Sequence, residues 1–155
     1  RNTITELRDS IWAMNKEEIN FEDLKTRTSN FIQNANLSLQ GIDFSFLYPK
    51  ESNEISLNSK TGIYIYRIIQ EAVNNAIKHA NASEIKVEIS VEDQHVIVQI
   101  SDNGKGFDFA TIQKGNGILS LENRAKEIDA KLEFQSQNGT QIKLIVSNCN
   151  FNSVV

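Results

Sequence analysis

The chain of 155 residues has the length of one ordinary domain, and its 39% hydrophobic and 23% charged residues are typical of a globular protein. One proline and seven glycines exclude collagen-like and low-complexity chains, and a net charge of −4 argues against nucleic acid as the main partner. A single cysteine, Cys149, permits no internal disulfide, and no apolar run is long enough to span a membrane. We therefore expect a cytoplasmic segment without direct membrane contact, and the start at Arg1 indicates a piece of a longer protein that could itself be membrane-anchored.

The first segment has apolar residues at the spacing of a helical seam, namely Ile4, Leu7, Ile11 and Met14. Either this amphipathic helix packs back on its own domain, or it is the end of a longer helix that could form a weak homodimer through residues 4–14.

The rest of the chain predicts helices and strands in alternation. Helices are expected over 21–36 (buried at Phe21, Leu24, Phe31 and Ile32), from Thr61 to Ala80, and over 118–128. Strands are expected over 42–47, 84–92, 95–101, 131–136 and 140–147, with a tight turn at Asp93-Gln94. Residues 49–60 are predicted as a loop and the last eight as a frayed end. This order predicts an α+β fold, a two-layer α/β sandwich with helices packed on one face of a mixed β-sheet.

The long helix contains EAVNNAIKHA and has one apolar face, formed by Ile65, Ile68, Ile69, Ala72, Val73, Ala76 and Ile77. The opposite stripe carries Glu71, Asn74, Asn75 and Lys78, with His79 at its margin. An ordinary solvated face is one interpretation. However, two adjacent asparagines are poor helix formers, and a carboxylate, amides and an ammonium together could hold a hydrated Mg²⁺ and a polyphosphate.

Asp102-Asn103-Gly104-Lys105-Gly106 directly follows a predicted strand. An ionised aspartate only accepts hydrogen bonds, so Asp102 suits an exocyclic amine such as that of adenine, although a plain turn is the alternative. An EF-hand loop is excluded because its third and fifth positions are glycines, and a Rossmann fingerprint is excluded because its third glycine position is Phe109.

Two further glycine motifs follow in the sequence. Gly115 and Gly117 precede a helix, whose free N–H groups could bind phosphate, and the residues between Phe107 and Lys114 could close over a ligand. Alternatively, Gly115 and Gly117 form a simple hinge. Gly139-Thr140 opens the final strand.

In this order, the motifs resemble those of the Bergerat ATP-binding fold, shared by gyrase, a heat-shock chaperone, mismatch-repair ATPases and sensor histidine kinases. EAVNNAIKHA and GNGILSLENRA look like the N-box and glycine loop of the histidine kinase branch, and the resemblance covers about residues 60–147. The amphipathic start is similar to the tail of that branch's dimerisation helix.

The resemblance implies ATP and Mg²⁺ as ligands. By this likeness Asn75 would bind Mg²⁺, Glu71 would act catalytically by orienting a water or proton, and Lys78 would neutralise phosphate charge. His79 would lie at the rim of the ATP site and not accept phosphate. Arg124 matches a family arginine without a clear role.

The same likeness assigns the nucleotide-binding positions of the later motifs. Asp102 would accept from the adenine amino group, Gly104 and Gly106 would let the base enter, and Thr140 would contact the adenine edge through water. Gly115 and Gly117 would bound the lid.

The phosphoacceptor histidine of the family has no match here, because His79 ends the N-box helix and His95 begins a strand. We therefore expect residues 1–20 to be the end of the dimerisation helix and 21–155 to be the ATP-binding catalytic domain of a sensor histidine kinase. Its partners would be the acceptor helix, absent from this chain, and a response regulator; alone, the chain should bind ATP without autophosphorylating. The alternatives are a regulatory, non-enzymatic nucleotide-binding module and a serine kinase of the same fold.

Overall fold

Helices lie against one face of a five-stranded sheet in the computed structural model, which describes residues 18–50, 55–106, 116–136, 138–147 and 149–151. In chain order the elements are β1 (Glu18–Asn20), α1 (Phe21–Ser38), β2 (Asp43–Leu47), β3 (Ile55–Asn58), α2 (Ser59–His79), β4 (Glu84–Glu92), β5 (His95–Asp102), α3 (Asn116–Glu127), β6 (Lys131–Ser136), β7 (Thr140–Val146) and β8 (Asn150–Phe151). The large sheet has the order β2-β4-β5-β7-β6, in which β2 and β4 are parallel and the other neighbours antiparallel. The predicted mixed sheet is confirmed.

Two of the helices begin directly at the end of a strand. The side chain of Asn20 accepts a hydrogen bond from the Asp23 N–H at the start of α1, and Asn58 accepts from the Thr61 N–H at the start of α2. Such caps satisfy N–H groups that have no partner within the helix. Each strand can therefore pass into its helix without a connecting loop.

The core lies between these helices and the large sheet. The apolar face predicted for α2 is buried, except that Ile77 at its end is only partly covered. In α1, Phe21, Leu24 and Ile32 are buried as expected, whereas Phe31 is partly exposed, with its ring nearly perpendicular to that of Tyr66. The sheet contributes alternate residues, since its strands point successive side chains to opposite faces.

The turn predicted at Asp93-Gln94 is confirmed as a two-residue hairpin. Both residues have positive φ, 49° and 62°. This is the geometry of a type I′ turn, whose twist matches that of the flanking strands.

Two predictions about irregular segments are wrong. The segment 49–60 contains β3 and the start of α2, and the last eight residues contain β8. These short strands form a second sheet of order β1-β3-β8, in which both outer strands run antiparallel to β3. Four residues of β3 are too few for a clear periodic pattern, and its partners are distant in sequence.

Several predictions concern residues that the structure describes only in part. The seam at Ile4, Leu7, Ile11 and Met14 lies outside the described residues.

Cys149 is a free, half-buried thiol, and burial raises its pKa. Within the described ranges, none of the helices combines the length and the apolar character that crossing a bilayer requires.

Candidate functional site

Asp102 and Thr140 face each other on neighbouring strands. The register of β5 and β7 pairs these two residues directly, at one end of the sheet. In β5, Val96, Val98 and Ile100 are buried on the helix-covered face, and Asp102 continues this alternation. The sequence therefore places a carboxylate and a hydroxyl side by side on the covered face, where purely apolar residues would be the rule.

The hydroxyl of Thr140 is the most informative atom of this pair. Thr140 is 5% exposed, and its Oγ1 is buried without a hydrogen-bond partner among the described residues. Burying a hydroxyl without a partner costs about 1–3 kcal/mol, and buried polar atoms are normally satisfied. An unpartnered oxygen beside Asp102 thus points to a polar ligand or an ordered water at this position.

Glycines allow three backbone segments to meet around Asp102. A Cβ on Gly104 would lie 2.2 Å from the Ala80 carbonyl oxygen, at the end of α2. A Cβ on Gly139 would lie 2.0 Å from the Asp102 carbonyl oxygen, and the φ of Gly139 is +118°. The loop after β5 is thereby held between the end of α2 and the β6–β7 turn.

Gly106 lies in the same cluster. Its φ is +69°, and a Cβ there would lie 2.5 Å from Ser136 Oγ and 2.9 Å from the Gly139 carbonyl oxygen. In the described structure, other atoms of the protein therefore occupy the space that side chains at Gly104 and Gly106 would need. Entry of a base at this loop stays a prediction.

The polar stripe of α2 extends away from this point. Glu71 and Asn75 are half-buried, whereas Asn74, Lys78 and His79 are exposed. At 1.5 Å per residue, Asn75 lies about 7.5 Å and Glu71 about 13.5 Å along the helix axis from Ala80. The stripe thus presents an amide and then a carboxylate at increasing distance from Asp102, as an elongated ligand would need.

Helix α3 packs against α2. Lys60 Nζ, near the start of α2, contacts Glu127 Oε2 at 2.8 Å, at the end of α3. This hydrogen bond raises the pKa of Lys60 and lowers the pKa of Glu127. Because both groups are exposed, the pair contributes little stability.

The first turn of α3 contains one of the predicted glycines. Gly117 belongs to the first turn of α3, one residue inside the helix and not before it as predicted, whereas Gly115 lies outside the described residues. A helix start presents free N–H groups that favour anions. Arg124 is half-buried and lines a groove with Tyr64 and Asn123 between the two helices.

The structure thus brings Asp102, Gly104, Gly106 and Thr140 into one cluster at the end of α2. Glu71, Asn75 and Lys78 share one stripe of that helix, and His79 ends it. His95 lies at the opposite end of β5 from Asp102, and its Nδ1 is 2.8 Å from the carbonyl oxygen of Asp93 in the hairpin turn.

Asn103 is a residue that the motif analysis did not single out. Its side-chain oxygen accepts hydrogen bonds from the N–H groups of Ser83 and Glu84, both at 2.9 Å. The one available signal is that asparagine directly after a strand favours side-chain bonding to nearby backbone. That signal does not identify partners 20 residues away.

Comparisons with known proteins identify the family of this chain. The family described as "Histidine kinase-, DNA gyrase B-, and HSP90-like ATPase" matches residues 61–148. An "Uncharacterized sensor-like histidine kinase" of Chloroflexus aurantiacus is 31% identical over 155 residues, covering 94% of this chain and 25% of that protein. The "Signal transduction histidine-protein kinase/phosphatase DegS" of Bacillus subtilis is 32% identical over 93 residues, covering 57% of this chain and 24% of that protein. The chain therefore spans about a quarter of the length of these curated relatives.

A solved structure shares the fold. The histidine kinase domain from the blue-light activated histidine kinase EL346 of Erythrobacter litoralis superposes with a TM-score of 0.70 at 15% identity, covering 81% of this chain and 61% of that one. At this identity the likeness concerns the fold alone, and it confirms the predicted two-layer architecture.

Proposed function

Because the chain belongs to the family of histidine kinase-, DNA gyrase B- and HSP90-like ATPases and carries its ATP-binding domain, we propose that it is the catalytic domain of a sensor histidine kinase in two-component signal transduction. This domain would transfer the γ-phosphoryl group of ATP to a histidine on another segment. The relatives described as sensor and signal-transduction histidine kinases support this choice within the family.

The observation that carries the proposal is the pairing of Asp102 with Thr140 at the end of β5 and β7. We assign Asp102 as the acceptor for the adenine amino group, because an ionised carboxylate only accepts hydrogen bonds. The unpartnered Thr140 hydroxyl would bond the adenine edge directly or through a water. Ile85, which pairs with Asp102 across β4 and β5, and Ile100 are buried, so the carboxylate lies at the edge of the apolar core.

The polar stripe of α2 would hold the phosphates. Lys78 would neutralise phosphate charge, and Glu71 would orient the attacking group or a proton near the γ-phosphate. Gly115 and Gly117 would bound the lid, with the N–H groups at the start of α3 available to phosphate oxygens. His79 is exposed at the end of α2 and would form the rim.

The donor atoms of this stripe also suit Mg²⁺. This ion prefers oxygen ligands, retains several waters and is commonly completed by substrate phosphates, so one amide oxygen from the half-buried Asn75 suffices. When bound, the ion would offset the negative charge on the phosphates.

The reaction would need little from the protein beyond positioning and charge stabilisation. An imidazole nitrogen from the acceptor helix would attack the γ-phosphorus in line, and the bond from that phosphorus to the bridging oxygen would break, releasing ADP. The phosphoryl group would then pass to an aspartate of a response regulator. We place this activity in the cytoplasm, where ATP is available.

We propose residues 1–20 as the segment in which the acceptor and dimerisation helix ends, and 21–155 as the catalytic domain; within this segment Glu18–Asn20 is a strand and not helix as predicted. Strand β1, at Glu18–Asn20, lies at this boundary and pairs with β3. A helix that precedes β1 would therefore enter the domain through the small sheet. Weak homodimerisation through residues 4–14 belongs to the same proposal.

The first test is calorimetric titration of the chain with ADP and with a non-hydrolysable ATP analogue, each with and without Mg²⁺. We expect a dissociation constant below about 1 mM, equivalent to roughly −4 kcal/mol, and stronger binding with Mg²⁺. An Asp102→Ala variant that unfolds like the wild-type chain should not bind. Binding by this variant with unchanged affinity would contradict the adenine role.

The second test distinguishes the classes of kinase. The chain is incubated with radiolabelled ATP and with an acceptor-helix fragment or a serine-bearing protein. Label on the helix that is lost in acid indicates phosphohistidine, whereas acid-stable label indicates phosphoserine. Nucleotide binding without transfer to either acceptor would favour a regulatory binding module.

A further inference from the structure

We propose that Asn103 is a positioning residue for nucleotide binding, because its carboxamide ties the segment after α2 to the loop that carries Asp102. The inference rests on the proposed function, in which Asp102 and the α2 stripe bind one nucleotide together. Asn103 follows Asp102 directly, at the point where β5 ends. The side chain of Asn103 makes hydrogen bonds to other residues of the protein, so we do not assign it a direct contact with the ligand.

The side chain of Asn103 makes three hydrogen bonds to two consecutive residues. Its Oδ1 accepts from the N–H groups of Ser83 and Glu84 at 2.9 Å each, and its Nδ2 donates to Ser83 Oγ at 2.9 Å. These N–H groups belong to the connection between α2 and β4. One carboxamide thus holds the first residue of β4 and the residue before it.

Backbone bonds join the same two segments on either side of this contact. The Asn103 N–H donates to the Glu84 carbonyl at 3.2 Å, and the Lys105 N–H donates to the Ala80 carbonyl at 2.9 Å. Gly104 lies so close to Ala80 that a Cβ would overlap its carbonyl oxygen. The loop after β5 and the end of α2 therefore form one joint, and Asn103 supplies the side-chain bonds in it.

Both sides of the joint carry residues assigned to nucleotide binding. On one side, Asp102 Oδ1 accepts from the Gly104 N–H at 2.8 Å, so the orientation of the carboxylate depends on where Gly104 lies. On the other side, Ala80 caps the helix that carries Asn75 and Lys78. Movement at the joint would change the distance between the adenine acceptor and the phosphate stripe, which a bound nucleotide must bridge.

Asn103 is exposed, so water can replace part of what its carboxamide provides. We therefore expect its removal to loosen the joint more than to unfold the domain. A binding site that must first be ordered binds more weakly, because part of the interaction free energy is spent on ordering. Nucleotide affinity is consequently the property that Asn103 should control.

The experiment compares Asn103→Ala with a variant that loses a comparable hydrogen bond in another part of the domain. Asn20→Ala removes another asparagine that accepts a backbone hydrogen bond, from Asp23 N–H at the start of α1, away from the β5 loop. ADP affinity is measured by calorimetry and stability by urea unfolding for both variants and the wild-type chain. Asn103→Ala should weaken ADP binding about 5- to 10-fold, whereas Asn20→Ala should change it less than about twofold while lowering stability.

Two further measurements separate positioning from general destabilisation. Asn103→Asp keeps the oxygen that accepts from Ser83 and Glu84, and should restore affinity to within about threefold of wild type. Amide hydrogen exchange at Ser83 and Glu84 should accelerate in Asn103→Ala and not in Asn20→Ala. If Asn103→Ala does not fold, Ser83→Ala removes only one of the three bonds and should weaken ADP binding about twofold.

The outcomes that overturn the inference are distinct from those that overturn the function. Wild-type affinity in Asn103→Ala, or equal loss of affinity in Asn20→Ala, contradicts the positioning role and leaves the proposed function standing. If Asn103→Ala is unfolded, unchanged ADP affinity in Ser83→Ala likewise contradicts the positioning role and leaves the proposed function standing. A wild-type chain that binds no nucleotide contradicts the proposed function and this inference with it.

Discussion

At the scale of single residues, the candidate site is recognised by polar atoms in places where the fold alone would favour apolar ones. Thr140 continues a row of buried residues on β7 that consists of Ile142, Leu144 and Val146. A valine would fill the same space without leaving an oxygen unpartnered. Unless a water or a ligand bonds to it, the hydroxyl lowers the stability of the domain.

This cost gives the first prediction. Replacing Thr140 by Val should raise the free energy of unfolding of the unliganded domain by about 1 kcal/mol, because a buried hydroxyl without a partner is removed. The same change should weaken ADP binding about 3- to 10-fold, the usual contribution of one hydrogen bond. Urea unfolding and calorimetry measure the two effects. Greater stability with undiminished affinity would show that Thr140 does not contact the nucleotide.

The adjacent asparagines of α2 give the second prediction. Asn75 is half-buried and Asn74 exposed, although they are adjacent and have the same side chain. Asn75→Ala should abolish the difference in ATP-analogue affinity with and without Mg²⁺, and Asn74→Ala, as its control, should preserve it. Calorimetry at fixed ionic strength makes the comparison. A Mg²⁺ effect that survives in Asn75→Ala would place the ion elsewhere.

At the scale of elements, the site depends on how closely three backbone segments approach one another. The β6–β7 turn approaches the end of β5 through Gly139, and the loop after β5 approaches the end of α2 through Gly104. Neither approach tolerates a Cβ without a shift of backbone. These glycines therefore set the relative position of the strand ends and the helix that together hold the proposed ligand.

Gly139 and Gly41 allow a controlled test. Both have positive φ, +118° and +84°, but a Cβ on Gly41 would have nothing within 4 Å, whereas one on Gly139 would overlap the Asp102 carbonyl. Gly41→Ala should cost about 1–2 kcal/mol for backbone conformation alone. Gly139→Ala should cost roughly 2–4 kcal/mol because strain and overlap combine. Similar unfolding free energies for the two variants would contradict this close packing.

At the scale of the whole molecule, both sheets share a single core. Ile55 and Leu57 of β3 are buried in the same cluster as the inward-facing residues of β4, β5 and β7. Because α2 begins where β3 ends and reaches the Asp102 loop at its other end, it links the small sheet to the site. Binding at one end of α2 should thus stabilise the domain as a unit.

Nucleotide should accordingly raise global stability by mass action. ADP at 100 times its dissociation constant should increase the free energy of unfolding by about 2.7 kcal/mol, if the unfolded chain does not bind it. Thermal unfolding followed with increasing ADP measures this effect, and Asp102→Ala is the control that should show no shift. An equal shift in the variant would indicate binding at another site.

The sequence predicts most strongly those features that arise from local patterns. The 3.6-residue periodicity of α2 and the alternation in β4 and β5 predict these elements within one or two residues, because each pattern records burial of one face. The motif order also indicated the family. Strand β3, by contrast, becomes a strand only through partners that lie far away in the chain.

The same distinction applies to the site. Separate motifs in the sequence indicate Asp102 and Thr140, and only the strand order, with β7 beside β5, shows that they are paired. The bonds of Asn103 join residues about 20 positions apart, a relation that no local pattern carries. Gly115, the lid residues 107–114 and the seam at 4–14 remain predictions, since they lie outside the described residues.

The small sheet has a consequence for the order in which the chain can fold during synthesis. Its central strand β3 pairs with β8, about 95 residues further along the chain. At roughly 5–20 residues per second on the ribosome, β3 waits about 5–20 s for this partner. Until then one edge of β3, the strand that leads into α2, is open to other strands. Nascent chains are thus exposed to misassociation at this edge during the interval.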